Sequence, residues 1–358
     1  MDERRRVENE KYMKNIVFLY SEIMPYVTIV IKEIVRQSNV HVHVFRWDSK
    51  RLTPYEPPEI ENVSYYNRSA FNTQALYQKV AELKPGIMYV SGWMDNGYLR
   101  VCRKIRKKFN IPIVAGSDTQ WKGGLQWIRV LLSPFVQKQC FSHIQVSGVW
   151  QYEYARRLGF PRNKILMHNL SADVDVFNKV DIESKIHSYP KRIIYIGRFD
   201  SKKGLKYFLQ AWNQIEDRGG WRLTFIGNGP EKGELLKHSN IEVLDFLSQE
   251  QLCHQLQNAG CFVLPSIFEP WALVLHEAAA AGLPILASDT CGAAPYFVLN
   301  NYNGFTFHPE NVEQIKVALN KILSAEDYDL LKMSRNSRKL AQRITPEIVA
   351  QTFLNVLQ

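Results

Sequence analysis

The sequence predicts an α/β protein made of two doubly wound, Rossmann-like domains. Short apolar segments rich in β-branched residues alternate with helical stretches along the chain, a pattern typical of parallel sheets covered by helices. The length of 358 residues suffices for two domains of ordinary size, each with a core of its own. A polar stretch at about 173–190 separates the two series of strands, so we predict one domain over 1–180 and a second over 181–344.

Ten apolar segments are predicted to be strands, five in each domain. In the first domain they lie near 16–20, 40–45, 87–90, 111–115 and 144–147. In the second domain they lie near 192–197, 221–227, 241–244, 261–264 and 283–287. A last helix at about 346–357 follows a Thr-Pro break and carries apolar residues at helical spacing, namely Ile348, Phe353 and Val356.

Composition narrows the class of protein. Hydrophobic residues make up 46% of the chain and charged residues 22%, as in globular proteins, and no apolar run reaches the roughly 18 residues that span a bilayer. The apolar stretch 127–136 is interrupted by Ser133-Pro134 and is predicted to be a buried helix and not a membrane insertion. The first 14 residues are charged, which predicts a tail and not a secretory signal.

The chain has five widely spaced cysteines and no C-x-x-C motif. This pattern favours reduced thiols, as in a cytoplasmic protein, and argues against a disulfide framework or a zinc site.

The positive charge is concentrated in the first half. The net charge is +10, and residues 1–180 carry 27 Lys and Arg against 16 Asp and Glu, whereas residues 181–358 carry 18 against 19. Part of the excess lies on a predicted helix at 99–109, whose inward positions are Val101, Cys102, Ile105 and Phe109. Its outward positions are Arg100, Arg103, Lys104, Lys107 and Lys108. This basic face predicts either peripheral contact with an anionic membrane surface, on the inner face of the cell membrane, or an ordinary solvated face.

Two carboxylates in the apolar segment 261–287 are the most informative feature of the chain. The segment is predicted to form a strand at 261–264, a loop, and a helix at about 272–281. Glu269 lies in the loop and Glu277 in the first turns of the helix. Ligands bind at the carboxyl ends of parallel strands, and the free N–H groups of a helix start attract anions. The pair therefore indicates a site for an anionic ligand, unless both side chains only cap or solvate a surface helix.

Three further segments follow strands of the second domain. The segment 197–204 carries Arg198 and Lys203 at a strand end, where two cations suit a diphosphate that gains charge as it leaves, although two solvated cations would give the same pattern. Gly227-Asn228-Gly229-Pro230 follows the next strand and lets the backbone approach a ligand closely. The third segment, Asp245-Phe246-Leu247-Ser248, follows the strand after that.

In this order and spacing, the four segments resemble the sugar-nucleotide signature of the retaining family-four (group 1) glycosyltransferases, over residues 190–310. The resemblance implies the GT-B architecture, in which two doubly wound domains face each other and a terminal helix, here in 345–358, crosses back onto the first domain. It also implies a nucleoside-diphosphate sugar as donor on the second domain and an acceptor on the first. The donor is a co-substrate, and no further cofactor is implied.

The resemblance also implies a role for each matching residue. Three are implied to be catalytic through contact with the diphosphate or the transferred sugar: Arg198, Lys203 and Glu269. The others are implied to line the nucleotide cleft, to contact the base chiefly through the backbone, to hold the ribose, or to hold the diphosphate through backbone N–H groups: Gly197, Gly227, Asn228, Phe246, Leu247, Ala272, Leu273, Val274 and Glu277. In particular, Glu277 accepts hydrogen bonds from the ribose hydroxyls, and Ala272 stands where the family usually has Gly.

The first domain is less explicit than the second. Family members often have a Gly-rich loop after the first strand and a His after a middle strand, whereas this chain has no Gly at 20–26 and has Asp118 near the middle position. Trp93, Asp118 and Trp121 follow two strands, so they predict either a sugar-stacking wall on the acceptor side or packed aromatics with a capping Asp. Asp173-Val174-Asp175 imitates a metal motif of another glycosyltransferase class, but it lies in the interdomain segment, and we predict no metal site.

Together these features predict a retaining, metal-independent glycosyltransferase. It would move a sugar from a nucleoside-diphosphate sugar to a saccharide or lipid-linked acceptor, in bacterial polysaccharide or glycolipid synthesis. Two alternatives remain open. A sugar-nucleotide epimerase of the same architecture would need no acceptor. A basic nucleic-acid-binding protein would also suit the charge, but the sequence contains no recognised nucleic-acid module, and we predict no nucleic-acid partner.

Overall fold

The computed structural model describes residues 13–48, 55–238 and 241–357. The chain divides into two compact units, the first with residues up to 171 together with 346–358, and the second with 172–345. Most of the charged tail predicted at the start of the chain lies outside the described residues. No helix in the described part combines the length and the apolar character that a membrane span requires.

The first unit is built on one parallel sheet. Its described strands are β1 (Lys14–Tyr20), β2 (Val40–Arg46), β3 (Val63–Asn67), β4 (Ile87–Val90), β5 (Ile113–Ser117), β6 (His143–Val146) and β7 (Ile165–Met167). They lie in the order β3-β2-β1-β4-β5-β6-β7. The helices between them are α1 (Pro25–Gln37), α2 (Thr73–Glu82), α3 (Asn96–Phe109), α4 (Gln126–Leu132), α5 (Gln137–Cys140) and α6 (Val149–Arg157), with short 3-10 helices at Arg68–Ala70, Ser133–Phe135 and Arg162–Lys164.

The second unit is built on another parallel sheet. Its described strands are β8 (Arg192–Ile196), β9 (Arg222–Ile226), β10 (Ile241–Leu244), β11 (Cys261–Leu264), β12 (Ile285–Ser288) and β13 (Gly304–Phe307). They lie in the order β10-β9-β8-β11-β12-β13. The helices are α7 (Val174–Phe177), α8 (Leu205–Asn213), α9 (Lys232–Leu235), α10 (Gln249–Gln257), α11 (Leu273–Ala280), α12 (Ala294–Phe297), α13 (Val312–Leu323) and α14 (Asp327–Ala341), with 3-10 helices at Glu183–His187 and Ser201–Lys203.

The strand order of each sheet reverses beside the first strand of the unit. β1 lies between β2 and β4, and β8 lies between β9 and β11. Helices cover both faces of such a sheet, so central strands carry apolar residues on both sides, as in Ile193, Ile194 and Tyr195 of β8, which are all buried. Loops that follow the strands on either side of the reversal meet at one edge, where doubly wound sheets bind ligands. The predicted α/β class with two doubly wound domains is confirmed.

The final helix, α15 (Pro346–Leu354), is part of the first unit. Its Phe353 ring packs against the rings of Phe18 and Tyr89 at centroid distances of 5.6 and 5.7 Å. The side chain of Gln145 in β6 donates a hydrogen bond to the carbonyl of Val349 at 3.4 Å. Residues from the end of the chain thus cover one face of the sheet through contacts with residues more than 200 positions earlier.

The ten predicted strands are present, and the three strands that the sequence analysis misses are β3, β7 and β13. Each of these three is the outermost strand at one side of its sheet. An outermost strand pairs on one side only and is less covered, so its sequence lacks the continuous apolar run that marks the central strands. In β3, for example, no residue is fully buried.

The division between the units lies at 171, and not at the predicted 180, because the segment after 171 is bound to the second unit. The backbone N–H of Ala172 donates to Nδ1 of His276 at 3.0 Å, and that of Asp181 donates to the side chain of Gln257 at 2.7 Å. The ammonium group of Lys185 is buried and donates to the carbonyl of Ala259 at 2.8 Å.

Two predictions about side chains of the first unit are wrong. Phe109 is exposed and not inward, because α3 ends there at the left-handed residue Asn110. The stretch 127–136 is not a buried helix. It consists of α4 and a 3-10 helix, and its large apolar side chains are mostly exposed, whereas Ser133 is buried and Val130 packs against the core.

Candidate active site

The predicted donor residues lie on loops that follow β8, β9, β10 and β11, at the edge where the order of the second sheet reverses. Two glycines let the first two loops touch. A Cβ atom on Gly227 would lie 1.9 Å from the carbonyl oxygen of Gly197, and one on Gly229 would lie 2.3 Å from that of Phe199. The N–H of Phe199 donates to the carbonyl of Asn228 at 2.9 Å. The Gly-Asn-Gly turn therefore lies directly against the loop that carries Arg198.

A third glycine brings the loops after β8 and β11 together. Gly204 is in the left-handed conformation, with φ +66°, and a Cβ atom there would lie 2.1 Å from the carbonyl oxygen of Pro265. The N–H of Ile267 donates to the carbonyl of Lys202 at 2.8 Å. As a result the ammonium group of Lys203 forms an ion pair with the carboxylate of Glu269, and each of these side chains is only 20% exposed.

Arg198 differs from Lys203 in its surroundings. Its side chain is 66% exposed and its Nε lies 3.4 Å from a carboxylate oxygen of Asp200. The carbonyl of Arg198 accepts a hydrogen bond from the hydroxyl of Tyr195 at 2.8 Å, which holds the backbone while the guanidinium extends into solvent. The structure thus places both predicted cations on one loop, one held by a carboxylate and one extended into solvent.

The start of α11 is a site where anions can bind. Ala272 precedes the helix, and the backbone N–H groups of Leu273 and Val274 form no hydrogen bond with a backbone carbonyl of the described residues. The loop before the helix is held by its carbonyls, since that of Glu269 accepts from the N–H of Gly292 at 3.0 Å and that of Trp271 accepts from the N–H of Ala293 at 2.7 Å. The N–H groups of Leu273 and Val274 are therefore available for a ligand, whereas that of Leu275 donates to the carbonyl of Ala272 at 3.1 Å.

Ala272 has an unfavourable backbone conformation. Its φ of 77° and ψ of 71° are left-handed, which costs an alanine roughly 1–2 kcal/mol. This explains why glycine is usual at the matching position of the family. Ala272 directly precedes Leu273 and Val274, whose N–H groups have no backbone partner in the described part of the chain. The strained residue therefore lies at the end of the helix where a ligand can bind.

We expect Ala272→Gly to stabilise the second unit by up to about 1 kcal/mol. Relief of the left-handed strain is partly offset by roughly 0.4–1 kcal/mol from the greater freedom of glycine in the unfolded chain. Chemical denaturation of both proteins measures the difference. Ala281→Gly is the matched control, because Ala281 is right-handed, with φ −68°, and its replacement should lower stability. A loss of stability in both variants would contradict the assignment of strain to Ala272.

Glu277 lies in α11, one helical turn after Leu273. Burial of its carboxyl group raises the pKa of Glu277 to about 7, although the residue as a whole keeps some exposed surface. Among the described residues, no hydrogen bond or ion pair joins this carboxylate to another group, so nothing offsets the desolvation of its charge. Hydroxyl groups of a ligand that donate hydrogen bonds to this carboxylate would offset its desolvation.

His276 is a residue of this region that the sequence analysis misses. It is fully buried, its ring stacks on Phe297 at 4.3 Å, and its Nδ1 accepts from the N–H of Ala172. Its Nε2 lies 2.9 Å from the carbonyl of Ala341, to which it donates. This histidine positions α11 and does not touch the ligand edge. A histidine among the apolar residues of an alanine-rich helix is the signal in the sequence that could have indicated it.

The loop after β10 carries the residues predicted to lie beside the base. Phe246 is exposed and Leu247 is partly exposed. The preceding residue, Asp245, accepts from the side chain of Asn228 at 3.3 Å and pairs with the ammonium group of Lys232. Phe246 thus carries an exposed aromatic ring on a loop that contacts the Gly-Asn-Gly turn through Asp245.

The first unit has a cavity of about 430 Å³ at the carboxyl ends of its central strands. Its lining contains the predicted residue Asp118 but not the predicted Trp93 or Trp121. The ring of Trp121 packs against Tyr154 instead, and Trp93 packs on the core. The packing of both rings agrees with the alternative of packed aromatics, and the sugar-stacking wall stays a prediction. The residues that line the cavity with Asp118 include Tyr20, Glu22, Tyr26, Trp47, Ser91 and Asn169.

The Asp-Val-Asp segment has a local structural role. The carboxylate of Asp173 accepts from the N–H of Val176 at 3.2 Å and caps α7. Within the described ranges, no group of three or more His, Cys, Asp or Glu side chains is arranged to hold a metal ion.

Comparison with known sequences gives a family match in the second half. The model for "Glycosyl transferases group 1" matches residues 177–340. The amylovoran biosynthesis glycosyltransferase AmsK of Erwinia amylovora is 26% identical over 230 residues, which are 60% of this chain and 55% of that protein. The glycogen synthase of Mycobacterium tuberculosis is 30% identical over 171 residues, 46% of this chain and 40% of that protein. The chain thus spans about half the length of the curated relatives that it matches.

Comparison with solved structures shows the fold. Sucrose-phosphate synthase from Thermosynechococcus elongatus is similar with a TM-score of 0.75 at 17% identity, over 96% of this chain and 98% of that one. Anabaena HepE, solved in complex with UDP and glucose, is similar with a TM-score of 0.70 at 14% identity, over 97% and 99% of the two chains. These likenesses confirm the predicted GT-B fold class.

Proposed function

We propose that this protein, whose residues 177–340 belong to the group 1 glycosyltransferase family, transfers a sugar from a nucleoside-diphosphate sugar to a hydroxyl acceptor with retention of anomeric configuration. The observation that carries the proposal is the arrangement at the edge of the second sheet. There Lys203, Glu269 and the free N–H groups at the start of α11 converge. A cation, a carboxylate and backbone donors at one helix start suit a sugar linked to a diphosphate.

In the proposed reaction, the bond between the sugar and the diphosphate breaks while the acceptor oxygen bonds to the same face of the sugar. Lys203, Arg198 and the N–H groups of Leu273 and Val274 stabilise the negative charge that develops on the diphosphate. Glu269 is held by Lys203, so it orients the transferred sugar and does not act as a nucleophile. The leaving phosphate accepts the proton of the acceptor hydroxyl.

The relatives guide the choice of substrates. HepE was solved with UDP and with UDP-glucose, so UDP-sugars are the first donors to test. AmsK is an amylovoran biosynthesis glycosyltransferase and WcaL of Escherichia coli, 24% identical over 231 residues, is a putative colanic acid biosynthesis glycosyltransferase. Both names support a saccharide or lipid-linked acceptor in polysaccharide or glycolipid synthesis. The acceptor would bind in the cavity of the first unit that contains Asp118.

The proposal is tested by donor screening followed by product analysis. Thermal shift with UDP-, GDP- and ADP-sugars identifies the donor, since a ligand that binds the folded state raises the melting temperature. Release of free nucleoside diphosphate only when acceptor is present, with a product of unchanged anomeric configuration, supports the proposal. An epimerised donor without release would instead establish the epimerase, and a gel shift with nucleic acid at physiological salt would support nucleic-acid binding.

We expect the activity to survive removal of divalent cations. Lys203, Arg198 and the helix N–H groups supply the positive charge that a metal ion would otherwise supply to the diphosphate. Initial rates with and without EDTA measure this, with Mg²⁺ and Mn²⁺ added back as the control. Loss of activity in EDTA that Mn²⁺ restores would contradict the metal-free mechanism.

A further inference from the structure

The segment 125–135 of the first unit exposes an unusual amount of apolar surface. No residue of α4 is buried. Leu125 is 82% exposed, Leu131 73% and Phe135 66%, and Trp127, Ile128 and Leu132 each expose about half of their surface. A contiguous set of large exposed apolar side chains on a folded domain indicates an interaction surface. We call this set, from Leu125 to Phe135, the apolar ridge.

The apolar ridge is fixed to the domain beneath it. The hydroxyl of Ser133 is buried and donates to the carbonyl of Leu158 at 2.7 Å. The rings of Trp121 and Trp127 are in edge contact at 5.0 Å, and the guanidinium of Arg157 lies over both of them. Trp127 and Leu131, and likewise Ile128 and Leu132, are four residues apart and share one side of the helix. These contacts hold the ridge against the rest of the first unit, while its apolar side chains point into solvent.

Positive charge lies beside one end of the ridge, while Arg157, over Trp127, pairs with Glu153. The guanidinium of Arg103 in α3 donates to the carbonyl of Phe135 at 3.1 Å, and that of Arg106 donates to the carbonyl groups of Lys138 and Phe141. These bonds place the basic face of α3 beside the end of the ridge. Between residues 96 and 142 the sequence has one acidic residue, Asp118, against nine basic ones: Arg100, Arg103, Lys104, Arg106, Lys107, Lys108, Lys122, Arg129 and Lys138.

We propose that the apolar ridge and the basic face of α3 together form a docking surface for an anionic lipid bilayer. The apolar side chains would enter the boundary between head groups and acyl chains, and the exposed cations would pair with anionic head groups. Trp127, with an apolar ring and a polar N–H, suits that boundary. Two other occupants fit this surface less well. A second copy of the chain would bring two strongly basic surfaces together, and a nucleic acid would pair with the cations but leave the apolar ridge exposed to water. An anionic bilayer matches both the charge and the apolar side chains.

This proposal goes beyond the proposed function, because none of these residues belongs to the donor site. The test is sedimentation with vesicles of phosphatidylcholine alone or with phosphatidylglycerol added. We expect the wild type to pellet with the anionic vesicles at low salt and to be released as the ionic strength rises. Replacing Arg103, Lys107 and Lys108 by Gln should weaken binding on the order of 100-fold, at about fivefold for each cation. Replacing Ile128, Leu131 and Leu132 by Asn should weaken binding by roughly tenfold or more.

Matched controls come from the second unit. Ile186, Leu236 and Val317 are similarly exposed apolar residues, and Lys206, Lys237 and Lys332 are exposed lysines. Asn at the first three, or Gln at the last three, should leave vesicle binding as in the wild type. Quenching of tryptophan fluorescence by brominated acyl chains should also be weaker in Trp127→Phe, which separates insertion from adsorption.

Three outcomes would overturn the proposal. The wild type and both ridge-region variants could pellet equally, or no protein could pellet at low salt. Alternatively, the wild type could form dimers that the Asn variant abolishes, without binding vesicles, in which case the ridge is a subunit interface. An unchanged melting temperature in each variant shows that it is folded.

Discussion

Lys203→Ala will lower kcat/KM by on the order of 100-fold or more, as expected when a group that stabilises charge developing in the transition state is removed. In the free protein Lys203 pairs with Glu269, and both side chains are largely covered. The ammonium group is therefore already positioned before a donor binds. Arg198→Ala should lose activity by a similar factor, because its guanidinium is largely exposed beside Asp200 and can reach the diphosphate. Initial rates at subsaturating donor measure both losses.

The neighbouring lysine provides the control. Lys202 is exposed and forms no ion pair with the described residues, so Lys202→Ala should retain nearly full activity. Lys203→Ala also leaves the partly covered carboxylate of Glu269 without its partner, which can lower stability. The double variant Lys203→Ala with Glu269→Gln removes that unpaired charge. If the double variant regains stability but not activity, the loss is catalytic. Equal losses in Lys202→Ala and Lys203→Ala would refute the specific role of Lys203.

Glu277→Gln will lower the affinity for the nucleoside diphosphate by roughly 10–100-fold, because a hydrogen bond to a charged group contributes roughly 1.5–3 kcal/mol. The pKa of Glu277 is raised to about 7 by burial, so the carboxylate is only half ionised at neutral pH in the free protein. Ribose hydroxyls donate to the ionised form, and the affinity of the wild type should therefore rise between pH 6 and 8. Titration calorimetry at several pH values measures this rise. The phosphate of the ligand also changes its protonation in this pH range. The same titrations with Glu277→Gln measure the contribution of the phosphate alone.

The same variant has an opposite effect on stability. A carboxyl group whose pKa is raised on folding stabilises the folded state only while it is protonated, and this contribution is lost as pH rises towards 7. The unfolded pKa is near 4.5 and the folded pKa is about 7, so the loss is at most about 3 kcal/mol. Glu277→Gln should thus become more stable than the wild type above pH 7. If the stability difference between the two proteins did not change with pH, the carboxyl group would not be desolvated.

The second unit could be predicted more completely than the first, for physical reasons. Its ligand edge depends on local sequence, because Gly204, Gly227 and Gly229 are needed wherever backbones touch, and such positions are visible in a sequence. The position of Glu269 beside Lys203 follows from those contacts. By contrast, the raised pKa of Glu277 depends on burial by distant residues, and it could not be inferred from spacing.

The first unit shows where sequence patterns are insufficient. Trp93 and Trp121 follow β4 and β5, so their spacing suggested that both face the ligand edge, but packing turns Trp121 towards Tyr154. Similarly, an apolar run such as 127–136 usually indicates burial, because burying apolar surface is the dominant driving force in folding. That inference fails for α4, because the described part of the chain leaves most of its apolar side chains exposed. This exposure is a property of the tertiary structure alone.

The position of α15 in the first unit has a consequence for how the protein is made. The face of the first sheet that contains Phe18 and Tyr89 is covered by α1 and completed by Phe353, so part of it stays uncovered during synthesis until all of the second unit has left the ribosome. The second unit is contiguous in sequence and can fold as soon as it emerges, whereas the first must wait for a contact of very high sequence separation. Between the synthesis of the first sheet and the synthesis of α15, the nascent chain exposes apolar surface of that sheet. A chaperone would be most needed during this interval.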